Sequence, residues 1–209
     1  MDKNVPLVVV RRLPRYYRYL SDLEEMGIER VSSQVLSKKL GFTASQVRQD
    51  LNCFGGFGQQ GYGYNVKMLR DEISKILGLD KCYKIVIIGA GNLGRAILNY
   101  PGFTKRGFRF IGIFDQDESL IGKSVGDLSI KGMDELEAFC ESECPDIGAL
   151  AIPKGTTDEV AKKLEALGIK GIWNFSHFEV TSAVPVVPVP LSDSLMTLAY
   201  RISEEEDEE

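Results

Sequence analysis

Apolar positions recur at spacings of three and four in the first third of the chain and in short unbroken runs over much of the remainder. In LPRYYRYLSDLEEM, the residues Leu13, Tyr16, Tyr17, Leu20 and Leu23 form one stripe that Gly27 ends, which predicts a first helix from Leu13 to Met26. SSQVLSKKLG then offers Ser32 or Ser33 as an N-cap, Val35, Leu36 and Leu40 as a buried stripe, and Gly41 as a stop. Thr43 and Gln46 make a T-x-x-Q capping box and start a third helix almost at once. On that helix Ala44, Val47, Leu51 and Phe54 share the inward side, while Ser45, Arg48, Gln49 and Asn52 point away from it.

Two short helices joined by a tight glycine turn fit a helix-turn-helix, whose second helix enters the major groove of DNA. The run FGGFGQQGYGY follows, with Gly55, Gly56, Gly58, Gly61 and Gly63 free to turn and Phe54, Phe57, Tyr62 and Tyr64 suited to a twisted hairpin. Helix-turn-helix plus hairpin is a winged helix, with Gln59 and Gln60 near the tip. A phosphate-cradling loop is the rival reading, and it lacks the Lys-Ser/Thr ending of the Walker pattern.

From Lys84 the pattern changes to KIVIIGAGNLGRAILNY, a buried strand running into G-x-G-x-x-G and an apolar helix. Gly89 permits the turn, Gly91 lets the backbone approach a pyrophosphate, and Gly94 lets helix and strand pack closely; Ala90, Asn92 and Leu93 complete the loop. A second strand, FRFIGIFD, ends at Asp115, 21 residues beyond Gly94, where a carboxylate accepts from the ribose 2′-hydroxyl. No arginine follows to pair a 2′-phosphate, so NAD(H) is expected over NADP(H). IGALAIP, a helix from Thr156 to Leu167 and IKGIWNF continue the strand-helix-strand rhythm, with the loops at Pro153 and Asn174 facing the cofactor. VPVVPVP at 184–190 suits an edge strand, and a last helix is expected from about Ser192 to Ile202.

The fold class is therefore α/β: an N-terminal winged-helix DNA-binding domain over 1–80 and a C-terminal Rossmann-type doubly wound parallel sheet over 81–203. Residues 204–209 read as a solvated, disordered acidic tail. Charge sharpens the division. The chain of 209 residues has a net charge of -5, but residues 1–84 hold 14 Lys and Arg against 9 acids, and the rest hold 11 against 21. A basic front half on an acidic back half is expected when only the front half meets phosphate. No apolar run reaches the length of a membrane span, and no cleavage signal follows Leu7 to Val10, so a cytoplasmic protein is expected.

The side chains Ser45, Gln46, Arg48, Gln49, Asn52, Gln59, Gln60 and Tyr62 are the candidates for DNA contact, since Arg grips guanine and Gln or Asn adenine. The plain alternative for the helix is an ordinary solvated face. No catalytic constellation is legible: His177 is the sole histidine, and the scattered Cys53, Cys82, Cys140 and Cys144 lack the companions of a metal site. Binding without turnover is simpler than an NAD-dependent oxidoreductase. A coenzyme A module of the same fold is a third reading.

VSSQVLSKKLGFTASQVRQDLNCFGGFGQQGYGYNV at 31–66, IVIIGAGNLGRAILNYPGF at 85–103 and GIKGIWNF at 168–175 together closely resemble the Rex family of bacterial redox-sensing repressors. The resemblance covers nearly the whole chain. It implies a homodimer on palindromic double-stranded operator DNA, with NADH and NAD+ as sensed ligands of the Rossmann domain. NAD+ would favour repression of genes for fermentation and NADH reoxidation, and NADH would close the dimer and release the operator. It also implies that Tyr100 lies near the nicotinamide and that Arg18 makes an interdomain contact. This chain departs from the pattern at Asn92, Gln49, Gln59 and Gln60, where relatives often carry cations, and at Pro190, where an aspartate is common and Asp193 is close by.

Overall fold

The computed structural model describes residues 5–53, 55, 58–59, 62–153, 155–176 and 178–207. Phe54, Gly56, Phe57, Gln60, Gly61 and His177, all named above, lie outside the described residues. The chain divides into two compact units, Met1–Lys81 and Cys82–Glu209.

The first unit is a winged helix built from α1 (Leu7–Val10), α2 (Leu13–Glu25), β1 (Arg30–Val31), α3 (Ser33–Leu40), α4 (Ala44–Asn52), β2 (Gly58–Gln59), β3 (Gly63–Asn65) and α5 (Val66–Ile76). Pro14 sits in the first turn of α2, where its missing N–H leaves no bond unmade. The stripe Leu13, Tyr16, Leu20 and Leu23 is buried against Leu36, Val47, Leu51, Leu69 and Ile73 from the other three long helices. Gly41 ends α3 in the left-handed conformation at φ 69°, and the Thr43 hydroxyl accepts from the Gln46 amide at 3.1 Å to open α4. Val35 is a correction: it is 46% exposed, because α3 buries only the side that carries Leu36 and Leu40.

The antiparallel order β1-β3-β2 makes the wing. β1 was not expected; two residues are too few to show alternation, and Arg30 and Val31 pair with Asn65 and Tyr64. Asn65 then caps α5 by accepting from the Met68 amide at 2.9 Å.

The second unit contains β4 (Tyr83–Ile88), α6 (Asn92–Leu98), β5 (Phe108–Asp115), β6 (Ser124–Val125), β7 (Leu128–Gly132), α7 (Leu136–Glu143), β8 (Ile147–Leu150), α8 (Thr157–Ala166), β9 (Gly171–Asn174), β10 (Val186–Pro188) and α9 (Leu191–Asp207). Its sheet runs β10-β9-β8-β4-β5-β7-β6 and is parallel except for the β6–β7 hairpin. With that hairpin strand set aside, this is the doubly wound Rossmann order. β4 alternates accordingly: Val86 and Ile88 pack with Leu136, Cys140, Ala161 and Leu164 of α7 and α8, whereas Ile85 and Ile87 pack with Ile97 of α6.

α9 is longer than its sequence pattern suggested. It continues to Asp207, so the stretch expected to be a disordered tail is helical through that residue; strong helix formers fill it, and the Tyr200 hydroxyl donates to Glu204 one turn on at 2.6 Å. Among the described residues no helix is long and apolar enough to cross a membrane.

Candidate nucleic-acid interface and nucleotide cleft

α4 exposes Ser45, Arg48, Gln49 and Asn52, while Val47 and Leu51 are fully buried and Gln46 is half-buried. Four polar side chains thus stand on one face. Arg48 extends towards the start of α3, where Nη1 donates to Ser33 Oγ at 3.3 Å. Burial raises the Tyr64 phenol above its ordinary pKa, and the Arg48 charge acts in the opposite direction. On the wing Tyr62 is exposed, with the Arg30 guanidinium 5.9 Å from its ring centroid. Arg30 was not among the sequence candidates. Its signal was a cation just before a Val-Ser pair that opens α3, a place that only the three-stranded pairing brings beside the hairpin. Gln59 lies on β2, and Arg18 is exposed on α2.

Asp50 also escaped the sequence reading. It lies on α4 yet is only 2% exposed, and both carboxylate oxygens are engaged: Arg12 Nη2 donates to Oδ1 at 2.6 Å, while Arg12 Nε and the Tyr16 hydroxyl donate to Oδ2 at 2.8 and 2.9 Å. The hydrogen bond to Asp50 holds the Arg12 guanidinium more firmly charged than usual, and burial together with the same carboxylate pushes the Tyr16 phenol up. Breaking such a buried pair from one side leaves an uncompensated charge.

In the second unit the fingerprint sits at the C-terminal end of β4, between the ends of β5 and β8. Gly89 holds φ at 105°, and a Cβ there would strike the Ala151 carbonyl oxygen. Gly94 is buried in α6, and its Cβ would overlap the Gly89 carbonyl oxygen and lie 3.3 Å from Ile87 Cγ2. Gly91 differs: nothing stands within 4 Å of a Cβ built on it, so open space lies over the loop. The turn is a cradle that two added methyls would fill and whose middle is clear for a ligand.

Asp115 serves this cradle directly. Its Oδ2 accepts from the Ala90 amide at 2.6 Å and its Oδ1 from the Asp117 amide at 2.9 Å. Each oxygen retains a further lone pair for a ribose hydroxyl. Beside it, Arg95 bends back over the first turn of α6, with Nε donating to the Gly91 carbonyl at 3.4 Å and Nη2 to Asn92 Oδ1 at 3.2 Å. Leu93 is half-buried on the same turn.

β4 connects onward to β5 on one side and β8 to β9 on the other, so the crevice at their ends is the topological switch point. Pro153 is exposed just past β8, and its carbonyl accepts from Thr157 Oγ1 at 3.3 Å. Tyr100 is exposed beyond α6, packed on Phe103 at 4.9 Å between ring centroids. Asn174 is placed otherwise: it is fully buried, Nδ2 donates to the Phe178 carbonyl at 2.7 Å, and Oδ1 accepts from both the amide and the hydroxyl of Ser176. Its side chain shapes the loop after β9 rather than standing open.

Two family models match the chain, "Putative DNA-binding protein N-terminus" over residues 4–52 and "CoA binding domain" over residues 80–178. A protein named Redox-sensing transcriptional repressor Rex from Caldicellulosiruptor saccharolyticus is 52% identical over 204 residues, spanning 97% of this chain and 93% of its own. Among solved structures, RSP in complex with NADH is 48% identical with a TM-score of 0.90, covering 97% of this chain and 96% of its own. RSP in complex with NAD+ and operator DNA is 51% identical, with a TM-score of 0.90 and coverage of 97% and 94%.

Proposed function

The chain belongs to the Rex family of redox-sensing transcriptional repressors, and from that premise we propose that it holds operator DNA through its winged helix and releases it when NADH replaces NAD+ in its Rossmann unit. One observation carries this reading: a single chain joins an exposed polar α4 face to a glycine cradle closed by Asp115. The relatives are repressors named for DNA regulation rather than enzymes, which favours sensing over turnover.

Ser45, Gln46, Arg48, Gln49 and Asn52 are assigned to the DNA, with Gln59 and Tyr62 on the wing; Arg30, beside Tyr62, joins them, and Gln60, also assigned to the DNA, lies outside the described residues. Gly89, Ala90, Gly91, Asn92, Leu93 and Gly94 are assigned to the pyrophosphate, and Asp115 to the adenine-side ribose. Tyr100, Pro153 and Asn174 are assigned to the nicotinamide end, Asn174 through the loop it holds.

Pairing of two copies accounts for two otherwise unpartnered surfaces of the second unit. α9 exposes Leu191, Leu195, Met196, Leu198, Tyr200 and Ile202. Elsewhere Ile85, Ile147, Ile172, Trp173 and Val187 line an open apolar hollow of about 350 Å³. A monomer rarely leaves so much apolar surface uncovered. A homodimer would cover it and match a palindromic site, and we take it to act in the cytoplasm, where a bacterial operator lies.

Switching needs only differential affinity. A coupling of ~1 to 3 kcal/mol shifts DNA affinity about 5- to 150-fold, and linkage makes NADH binding weaker on the operator complex by the same factor. Titration of a palindromic operator fragment with NADH against NAD+ is the test, and identical affinity with both ligands would remove the sensing reading. Direct comparison of NADH and coenzyme A by calorimetry addresses the alternative that the second family model's description raises. Asp115→Ala is expected to weaken NADH about 10-fold, since it removes a charge-assisted hydrogen bond. It also leaves the Ala90 amide without its acceptor. DNA binding by the ligand-free variant should stay at the wild-type level, and unchanged NADH affinity by calorimetry would refute the ribose assignment.

A further inference from the structure

The Arg12, Tyr16 and Asp50 side chains do something that the exposed face of α4 cannot do alone. Apolar contacts such as those of Val47 and Leu51 resist separation of helices but are non-directional, so they leave rotation of a short helix about its axis weakly fixed. Asp50 is directional: three donors at 2.6 to 2.9 Å hold both of its oxygens. Those donors come from the start of α2 and the residue preceding it. The same segment grips the turn between α3 and α4. Arg15 Nη2 donates to the Leu40 carbonyl at 2.5 Å, its guanidinium lies 4.6 Å from the Phe42 centroid, and the Tyr16 ring packs on Phe42 at 5.7 Å.

Lever geometry turns this into specificity. Side-chain tips stand ~6 Å from a helix axis, so a rotation of about 20° displaces Arg48, Gln49 and Asn52 by roughly 2 Å. A hydrogen bond to a base edge spans a window of only about 0.5 Å. A replacement that leaves α4 folded but untethered should therefore lose base reading before it loses attraction to phosphates, which is tolerant of angle.

We propose that Asp50, held by Arg12 and Tyr16, is a positioning residue that sets the rotational register of α4 and thereby the sequence specificity of DNA binding. The inference rests on the repressor reading above. Its measure is the ratio of affinities for operator and scrambled duplex, taken on the full-length protein by fluorescence anisotropy at a temperature where circular dichroism shows each variant folded. Asp50→Asn is expected to lower operator affinity about 10-fold, as one misread base pair would, while scrambled-duplex affinity changes by less than about twofold. Tyr16→Phe keeps the ion pair, is the milder variant should Asp50→Asn not fold, and should lower operator affinity about threefold. Leu69→Ala, in the core of the same unit on α5, supplies a loss of stability without loss of the carboxylate.

Register control requires that the ratio fall in the folded Asp50 and Tyr16 variants and hold in Leu69→Ala. A ratio preserved in Tyr16→Phe and in any folded Asp50→Asn, or lowered equally by Leu69→Ala, overturns the inference and leaves the repressor reading intact. A wild-type protein with no operator preference overturns both.

Discussion

Replacing Gly94 by alanine is expected to weaken NADH binding about 100-fold and to lower the melting temperature of the second unit. The methyl group would overlap the Gly89 carbonyl oxygen, and that atom has little room to retreat: Gly89 itself is wedged against Ala151 at φ 105°, while its amide donates to the Phe114 carbonyl at 2.8 Å. Moving α6 outward instead would open the contact with Ile87, 3.3 Å from the added carbon. Overpacking of this kind costs about 3 kcal/mol, which for a unit of this size corresponds to roughly 10 °C. The affinity loss should be of similar size, about 100-fold, because the amides of the loop would converge on one pyrophosphate and a shift of the loop moves all of them. Gly91→Ala is the internal control. Open space surrounds its Cβ, so the melting temperature should hold while the approach of the ligand is blocked. Calorimetric melting and NADH titration of both variants check the pair, and an unaltered Gly94→Ala protein would refute the packing role.

The reason that this cradle was legible in the sequence is that its constraints are local. Glycine at the turn, glycine at the crossing and an acid at the next strand end are each set by backbone geometry within about 25 residues, and period and caps announced α2, α3 and α4 in the same way. What escaped depends on contacts distant along the chain. Arg12 and Asp50 are 38 residues apart, and nothing local distinguishes Asp50 from its solvated neighbours on α4. β1 owes its existence to β3, and Val35, although it fits the apolar pattern of α3, stands on the exposed side of that helix. Asn174 shows the same dependence from the other side: hydrogen bonds with Ser176 and Phe178 turn its side chain into the loop after β9, which a polar residue ending a parallel strand does not announce.

Arg48→Ala is expected to lower operator affinity about 100-fold while NADH affinity stays unchanged, because each bidentate arginine-guanine contact contributes ~1 to 3 kcal/mol and a dimer would present two. Arg48 projects from the exposed face of α4, and its bond to Ser33 at 3.3 Å is long enough to exchange for a base. Salt dependence separates the two ways in which an arginine can act. If Arg48 reads a base, the slope of log affinity against log salt stays as in the wild type and the loss is confined to the operator. If it binds phosphate, the slope falls by about 2 for the dimer and scrambled duplex suffers equally. Base reading is the expected outcome, since the turn and the wing border this helix and Gln49 beside Arg48 offers the complementary adenine contact. Retention of full operator preference in the variant would overturn the assignment of this face.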